Sequence, residues 1–424
     1  MVDSLKSQEK SDRRSFMRRA ASAAVGVAGA TGALTARAGD TGDALRRGPG
    51  APLGGDGGRS EHVDLKRVCG GGPGESERAC DIFSNNSKTP FQSLFGTVTP
   101  SDLHFERSHS GTPSRDAATH QLLVHGLSVS PTVFRMDELY RMPSITRMAF
   151  IECAGNGWDN WKEAKPELTV QDTHGLISTS EWTGVPLSFI LEQVGATRAA
   201  TWMLAEGADG AAGDRSVPLI DAVLRDGMLA YAQNGEPLRP TNGYPLRLLL
   251  PGFEGNMNIK WLRRLKLGDE PFMTRWETAK YTDLLADGSA RKFTLVQDPG
   301  SVITSPSGSM QIEQGSIEIR GLAWSGHGRV KRVDVSVDGG KTWRKSKIVG
   351  EALPQSQTRF VFAWRWDGAT AMLQSRCVDE RGNTQPTREQ IVGEQGTNAV
   401  YHYNAIQNWK VDEAGKVSNA YATL

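Results

Sequence analysis

From about residue 301 to the end of the chain, apolar side chains recur at alternate positions in short runs, and this period constrains the fold more than any other feature. Ser316-Ile317-Glu318-Ile319-Arg320-Gly321-Leu322-Ala323-Trp324 is one such run. Val333-Asp334-Val335-Ser336-Val337 is another, continuing through Asp338-Gly339-Gly340-Lys341 to Trp343. Successive side chains on a strand point to opposite faces of its sheet, so the spacing predicts strands with one buried face. Asp-Gly-Gly supplies the positive φ that a tight hairpin requires. With further runs at 359–366 and 371–379, the pattern predicts an all-β, immunoglobulin-like sandwich over 301–424.

Before that region the texture differs. Strand-like runs such as Gln121-Leu122-Leu123-Val124-His125-Gly126 and Tyr244-Pro245-Leu246-Arg247-Leu248-Leu249-Leu250 are interleaved with helical patterns such as Leu187-Ser188-Phe189-Ile190-Leu191-Glu192-Gln193-Val194. Irregular loops separate them, and no G-x-G-x-x-G follows a strand, which argues against a nucleotide-binding α/β unit. The expected class is α+β, with a mixed α/β domain over 89–300 ahead of the sandwich. A chain of 424 residues, 38% hydrophobic, has enough apolar material for two or three cores. No stretch approaches the roughly 18 apolar residues of a membrane span.

The formal charge of +1 conceals a split. Residues 1–38 carry seven Lys/Arg against three Asp/Glu, leaving 42 bases and 45 acids in the rest. A slightly acidic body disfavours a nucleic-acid binder, which needs a basic face. The basic start has its own pattern: Ser11-Asp12-Arg13-Arg14-Ser15-Phe16-Met17, a weakly apolar Ala/Gly run from Ala20 to Leu34, then Ala36-Arg37-Ala38. Paired arginines before a mild apolar region and an A-x-A site predict a twin-arginine signal peptide over 1–38 and a periplasmic destination. That route carries folded proteins, which points to a cofactor inserted before export. Residues 39–88 are expected to be a linker and N-terminal extension, and 39–60 lack any apolar period.

The four cysteines are Cys69, Cys80, Cys153 and Cys377. Cys69 and Cys80 flank a Gly/Glu-rich loop, which leaves a local bridge open, and Cys377 sits in a strand-like run as a small core residue. Cys153 is different. It follows the apolar run Met148-Ala149-Phe150-Ile151-Glu152 and opens into Ala154-Gly155-Asn156-Gly157, a turn that leaves its sulfur at a strand end. A thiolate there suits a soft metal.

Glu152-Cys153-Ala154-Gly155-Asn156 resembles the molybdenum-ligating segment of the sulfite oxidase family. Phe105-Glu106-Arg107-Ser108-His109 resembles that family's pterin-contacting F-x-R-N-H, with Ser108 in place of Asn. Asn234-Gly235-Glu236-Pro237-Leu238, the run from Gly243 to Gly252, and Asn258-Ile259-Lys260-Trp261-Leu262 match further family motifs in order. The likeness implies molybdenum with molybdopterin as cofactor and Cys153 as the metal's protein ligand. It implies Phe105, Arg107, Ser108, His109, Asp209, Asn242, Arg247, Asn258, Ile259 and Lys260 as cofactor-binding residues, with Arg107 and Tyr281 also serving the reaction beside the metal. The residue types agree, because a phosphate-bearing pterin needs fixed cations and donors. Asp172, Thr173 and His174 receive no catalytic role.

Where sulfite oxidases place an arginine pair after the metal cysteine's A-G-N, this chain has Gly157-Trp158. Losing a cation and gaining an indole suits a mouth that packs against a substituent better than one that holds a small dianion. The segment leading into 170–176, the tail 401–409, Gly252-Phe253-Glu254-Gly255-Asn256 and Gly321-Leu322-Ala323-Trp324-Ser325-Gly326 are similar to the molybdenum subunits of sulfane dehydrogenases, the SoxC type. The implied reaction oxidises persulfide sulfur on a carrier protein in thiosulfate oxidation, with water as oxygen source. No C-x-x-C-H heme motif is present, so a cytochrome c subunit of SoxD type is expected to take the electrons, in a hetero-oligomer built on a dimer of this chain. The competing readings are a periplasmic sulfite dehydrogenase and a non-catalytic binding protein.

Overall fold

The structure is a computed structural model that describes residues 58–60, 62–69, 86–161, 164–211 and 213–421. The expected signal peptide and Cys80 lie outside those residues. From Asp64 onward the chain forms one compact unit. Part of the expected N-terminal extension is folded into it: Val68–Cys69 pairs with Asn86–Lys88, which pairs with Glu106–Arg107. Cys69 is disulfide-bonded, whereas Cys153 and Cys377 are free.

Two five-stranded sheets carry the first part of the unit. One runs Glu236–Pro237, Met228–Gln233, Ile177–Pro186, Ile145–Glu152, with Arg247–Leu249 also pairing to Met228–Gln233. The other runs Thr132–Arg135, Gln121–Gly126, Leu262–Gly268, Trp202–Gly207, Asp214–Pro218, and its Gln121–Gly126 and Leu262–Gly268 strands are parallel. Helix Leu187–Gln193 inserts Leu187, Ile190 and Leu191 into a core shared with Leu122, Val124, Leu229, Leu248 and Leu265 from both sheets. The helical pattern read at 187–194 therefore forms as the spacing requires, its apolar stripe facing the sheets.

The C-terminal part is a β-sandwich. Gly300–Ser305, Gly315–Trp324, Thr358–Trp366 and Lys347–Val349 form one sheet; Arg344–Lys345, Val330–Ser336, Ala371–Asp379, Asn408–Val411 and Val417–Ala420 form the other. Their inward residues, including Phe360, Val333, Leu373, Cys377 and Trp409, make a second core. The hairpin at Asp338-Gly339-Gly340 joins Val330–Ser336 to Arg344–Lys345, with Gly339 and Gly340 both at positive φ. Phe150, Val170 and Ile177 reach into this core, while Ala149 and Ile151 pack into a separate one, so the strand that leads to Cys153 is gripped from both sides. Among the described residues no helix is long and apolar enough to cross a membrane.

Candidate active site

Cys153 lies one residue past strand Ile145–Glu152. Its N–H donates to the Leu176 carbonyl at 2.9 Å and its carbonyl accepts from Asn156 at 2.9 Å, closing the turn. The Asn156 side chain ties that turn down, accepting from the Leu176 N–H at 3.1 Å and donating to Glu152 at 2.9 Å. Glu152 in turn accepts from Trp324 Nε1 of the sandwich at 2.8 Å. The turn that carries the sulfur is thereby tied to the Leu176 segment and, through Glu152, to the sandwich.

Cys153 opens on a cavity, and every residue named above for metal, cofactor or reaction lines it. Strand Glu106–Arg107 and the loop after it bring Phe105, Arg107, Ser108 and His109. Asp209 follows strand Trp202–Gly207, and the turns around strand Arg247–Leu249 bring Asn242, Asn258, Ile259 and Lys260. Residues separated by up to 176 positions in sequence thus meet at one wall.

The geometry distinguishes those that face a ligand through their functional groups from those that build the wall. Asn258 spends its amide on backbone, accepting from Leu250 and donating to the Glu254 carbonyl. Asn242 donates to Ser101 and Gln233, and Ser108 to the Gly111 carbonyl. Asp209 accepts from the Gly213 N–H at 2.9 Å. Arg247 donates to the carbonyls of Asn242 and Asn258 and stacks on Trp182, while its buried Nε has no hydrogen-bond partner. Lys260 donates to the carbonyls of Arg107 and Thr241.

The electrostatics point to an anionic occupant. Burial pushes the Lys260 ammonium down to about 7, opposed by Glu106, and the Arg247 guanidinium down to about 9. Each is held by neutral carbonyls, so its charge is desolvated without a hydrogen-bonded carboxylate to balance it. A phosphate-bearing group in the cavity would balance both. The residues present therefore fit a molybdopterin, with Cys153 the thiol at its reacting end. Burial pushes that thiol up, with Arg107 pulling it back; metal coordination would deprotonate it outright. Among the described residues no cluster of three or more His, Cys, Asp or Glu forms a metal cage, and the pterin's sulfurs would complete the donor set.

Tyr281 hydrogen-bonds His109, Oη to Nε2 at 3.1 Å. Burial holds the phenol above its ordinary range, reinforced by Cys153, and pushes His109 down to about 4, reinforced by Arg107. A protonated phenol beside a neutral imidazole can hold or pass a proton at Tyr281 Oη.

Several lining residues escaped the sequence reading. Arg215 on strand Asp214–Pro218 reaches the cavity, locked by Glu277 at 2.8 Å and Glu254 at 3.3 Å. Trp276 packs at a tilt against both His109 and Tyr281. The only sequence sign of Arg215 was a charge inside a strand-like run. Asp172 accepts from the Thr169 N–H in a helix cap and His174 is buried against Thr173, so these residues support structure.

Comparisons with known proteins decide the family. Residues 109–276 match the oxidoreductase molybdopterin binding domain, and residues 292–409 match the Mo-co oxidoreductase dimerisation domain. The chain is 31% identical to mitochondrial sulfite oxidase of Mus musculus over 71% of this chain and 61% of that enzyme. Against the Homo sapiens enzyme the figures are 31%, 68% and 57%, so the match spans about six-tenths of those relatives' length. The crystal structure of the sulfane dehydrogenase SoxCD from Paracoccus pantotrophus superposes with a TM-score of 0.85 at 43% identity, covering 91% of this chain and 100% of that one. The chain belongs to the sulfite oxidase family of molybdopterin oxidoreductases. The family's two domain types correspond to the mixed α+β region that carries the cavity and to the β-sandwich that braces Glu152. Gly157-Trp158 follows the turn that carries Cys153, and Trp158 is 57% exposed.

Proposed function

We propose that this chain is the molybdenum-bearing subunit of a periplasmic sulfane dehydrogenase, exported by the twin-arginine route. Its substrate is persulfide sulfur on a cysteine of a carrier protein, and a cytochrome c subunit takes the electrons. The observation that carries this reading is the 43% identity to SoxCD over the whole of the matched chain. The exposed indole after the Cys153 turn agrees with it, because a substrate on a protein arm offers a surface to pack against.

In this reading Cys153 holds the metal, and Arg107, Arg247 and Lys260 supply positive charge toward the pterin and its phosphate. A molybdenum–pterin group supplies oxygen-atom transfer, with water as oxygen source and two electrons released per step. The chain's own part is to orient that group, exclude bulk water with Trp276 and Trp261, and manage a proton at Tyr281 Oη through His109. Purified protein should contain stoichiometric molybdenum and oxidise a carrier-bound persulfide with a cytochrome c acceptor. Efficient turnover of free sulfite by the isolated subunit with a soluble cytochrome would overturn the substrate assignment. Absence of molybdenum from protein made in a cofactor-producing host would overturn the enzyme reading.

A further inference from the structure

Three consecutive residues near the C-terminus, Tyr401-His402-Tyr403, touch each of the pieces that make the reacting end of the cavity. Tyr401 packs on Tyr281 with ring centroids 5.1 Å apart. The His402 N–H donates to the Ala154 carbonyl at 2.7 Å, next to Cys153. Tyr403 lies against Gly157, where a Cβ would come within 3.0 Å of it, and packs edge-on to Trp161.

The His402 side chain makes the tightest of these links. Its Nδ1 lies 2.9 Å from both Asp283 oxygens and its Nε2 lies 2.9 Å from Glu254. Asp283 is two residues beyond Tyr281, and Glu254 immediately precedes the segment that contributes Gly255, Asn256 and Asn258 to the wall. Imidazole nitrogens facing two carboxylates must both carry protons, so His402 acts as a cationic tie between two separate loops. It does so from a backbone at φ 58, a strained conformation for a residue with a Cβ, which the surrounding contacts must enforce. Simple packing of a tail would call for none of these features.

We propose that Tyr401-His402-Tyr403 is a clamp that sets Tyr281 against Cys153, with His402 as its central positioning residue. The inference rests on the reading that Cys153 and Tyr281 serve the metal. It adds a structural element from beyond the molybdopterin-binding region to the catalytic geometry.

The test uses the full-length, cofactor-loaded protein and two substitutions. His402→Leu keeps bulk and removes both links; His402→Gln retains one donor. In the leucine variant kcat per bound molybdenum should fall by about tenfold or more with KM within about twofold, as for a residue that orients metal-site groups. Its molybdenum(V) electron paramagnetic resonance signal should change, and the glutamine variant should recover part of both. In cofactor-free protein, alkylation of Cys153 by iodoacetamide should be faster in His402→Leu than in the unaltered chain. Should His402→Leu not fold, Asp283→Asn removes one carboxylate at constant volume and should shift signal and kcat in the same direction. Loss of thermal stability alone, with the resonance signal, kcat per molybdenum and alkylation rate unchanged, would overturn the clamp. If the unaltered protein carries molybdenum but oxidises no sulfur substrate, the proposed function falls, while the resonance and alkylation comparisons still judge the clamp.

Discussion

The guanidinium carbon of Arg215 lies 5.2 Å from the centre of the Tyr281 ring, and the same guanidinium is paired with Glu254 and Glu277. All three charged side chains are 2% exposed or less. One buried cation is thus shared by two buried carboxylates while packing over the phenol that lines the same cavity as Cys153. Glu254 also receives His402, so the support of the reacting end is a connected ionic network rather than a set of separate pairs.

Replacing Arg215 by Met leaves buried Glu277 without its cation and Glu254 with His402 alone, and should destabilise the protein by roughly 3–5 kcal/mol, read by denaturant unfolding. Adding Glu277→Gln to that variant should restore part of the loss. If the double variant is no more stable than the single one, the carboxylates are not the source of the cost.

His402 makes stability fall with rising pH. Burial alone would lower its pKa, but the Asp283 and Glu254 carboxylates outweigh burial and hold it up at about 10, against 6.5 for an unperturbed histidine. A raised pKa contributes stability that is complete below 6.5 and lost as pH rises through about 10. The slope cannot exceed one proton's worth, about 1.4 kcal/mol per pH unit. Unfolding free energies from pH 7 to 10 should fall more steeply in the unaltered protein than in His402→Gln.

Lys260 acts in the opposite direction. In cofactor-free protein its folded pKa of about 7 lies below the ordinary 10.5, so across that window the unfolded chain binds the extra proton and stability rises with pH. An anion in the cavity reverses the desolvation. Binding of pyrophosphate to cofactor-free protein at pH 8.5 should therefore take up a proton. Calorimetry in buffers of different ionisation enthalpy measures this, and Lys260→Met should abolish it.

The Gly157-Trp158 pair should separate stability from specificity. Gly157 sits at φ 80 with Tyr403 3.0 Å from any added Cβ, so Gly157→Arg should cost about 1–3 kcal/mol through backbone strain. Trp158→Arg, at an exposed position, should change stability by only about 0.5 kcal/mol either way. It should still lower kcat/KM for a carrier-bound persulfide relative to free sulfite. An unchanged ratio would place substrate discrimination elsewhere in the mouth.

Much of this was legible in the chain because the signals were local. The Asp338-Gly339-Gly340 hairpin, the alternation of 316–324 and the turn after Cys153 each depend on neighbours within a few residues. The cofactor-binding motifs were legible as identities, and their residues do share one cavity. Their chemistry was less legible: Asn258 and Asn242 turn their amides onto the protein, and Arg247 spends two nitrogens on carbonyls. Nothing in a motif states which side of the wall a side chain faces.

Arg215 and His402 show why the remainder was hidden. Arg215 meets carboxylates 39 and 62 residues away, and His402 meets carboxylates 119 and 148 residues away. Pairing at such separations leaves no periodicity to detect, since each residue alone reads as an ordinary surface charge. The sequence by itself determined the period of the strands, the strand-end turn that presents Cys153, and the indole that follows it. Only the tertiary structure decided which charges are buried together, because the cost of desolvating a charge, and hence its partner and its pKa, exists only once folding has removed the water.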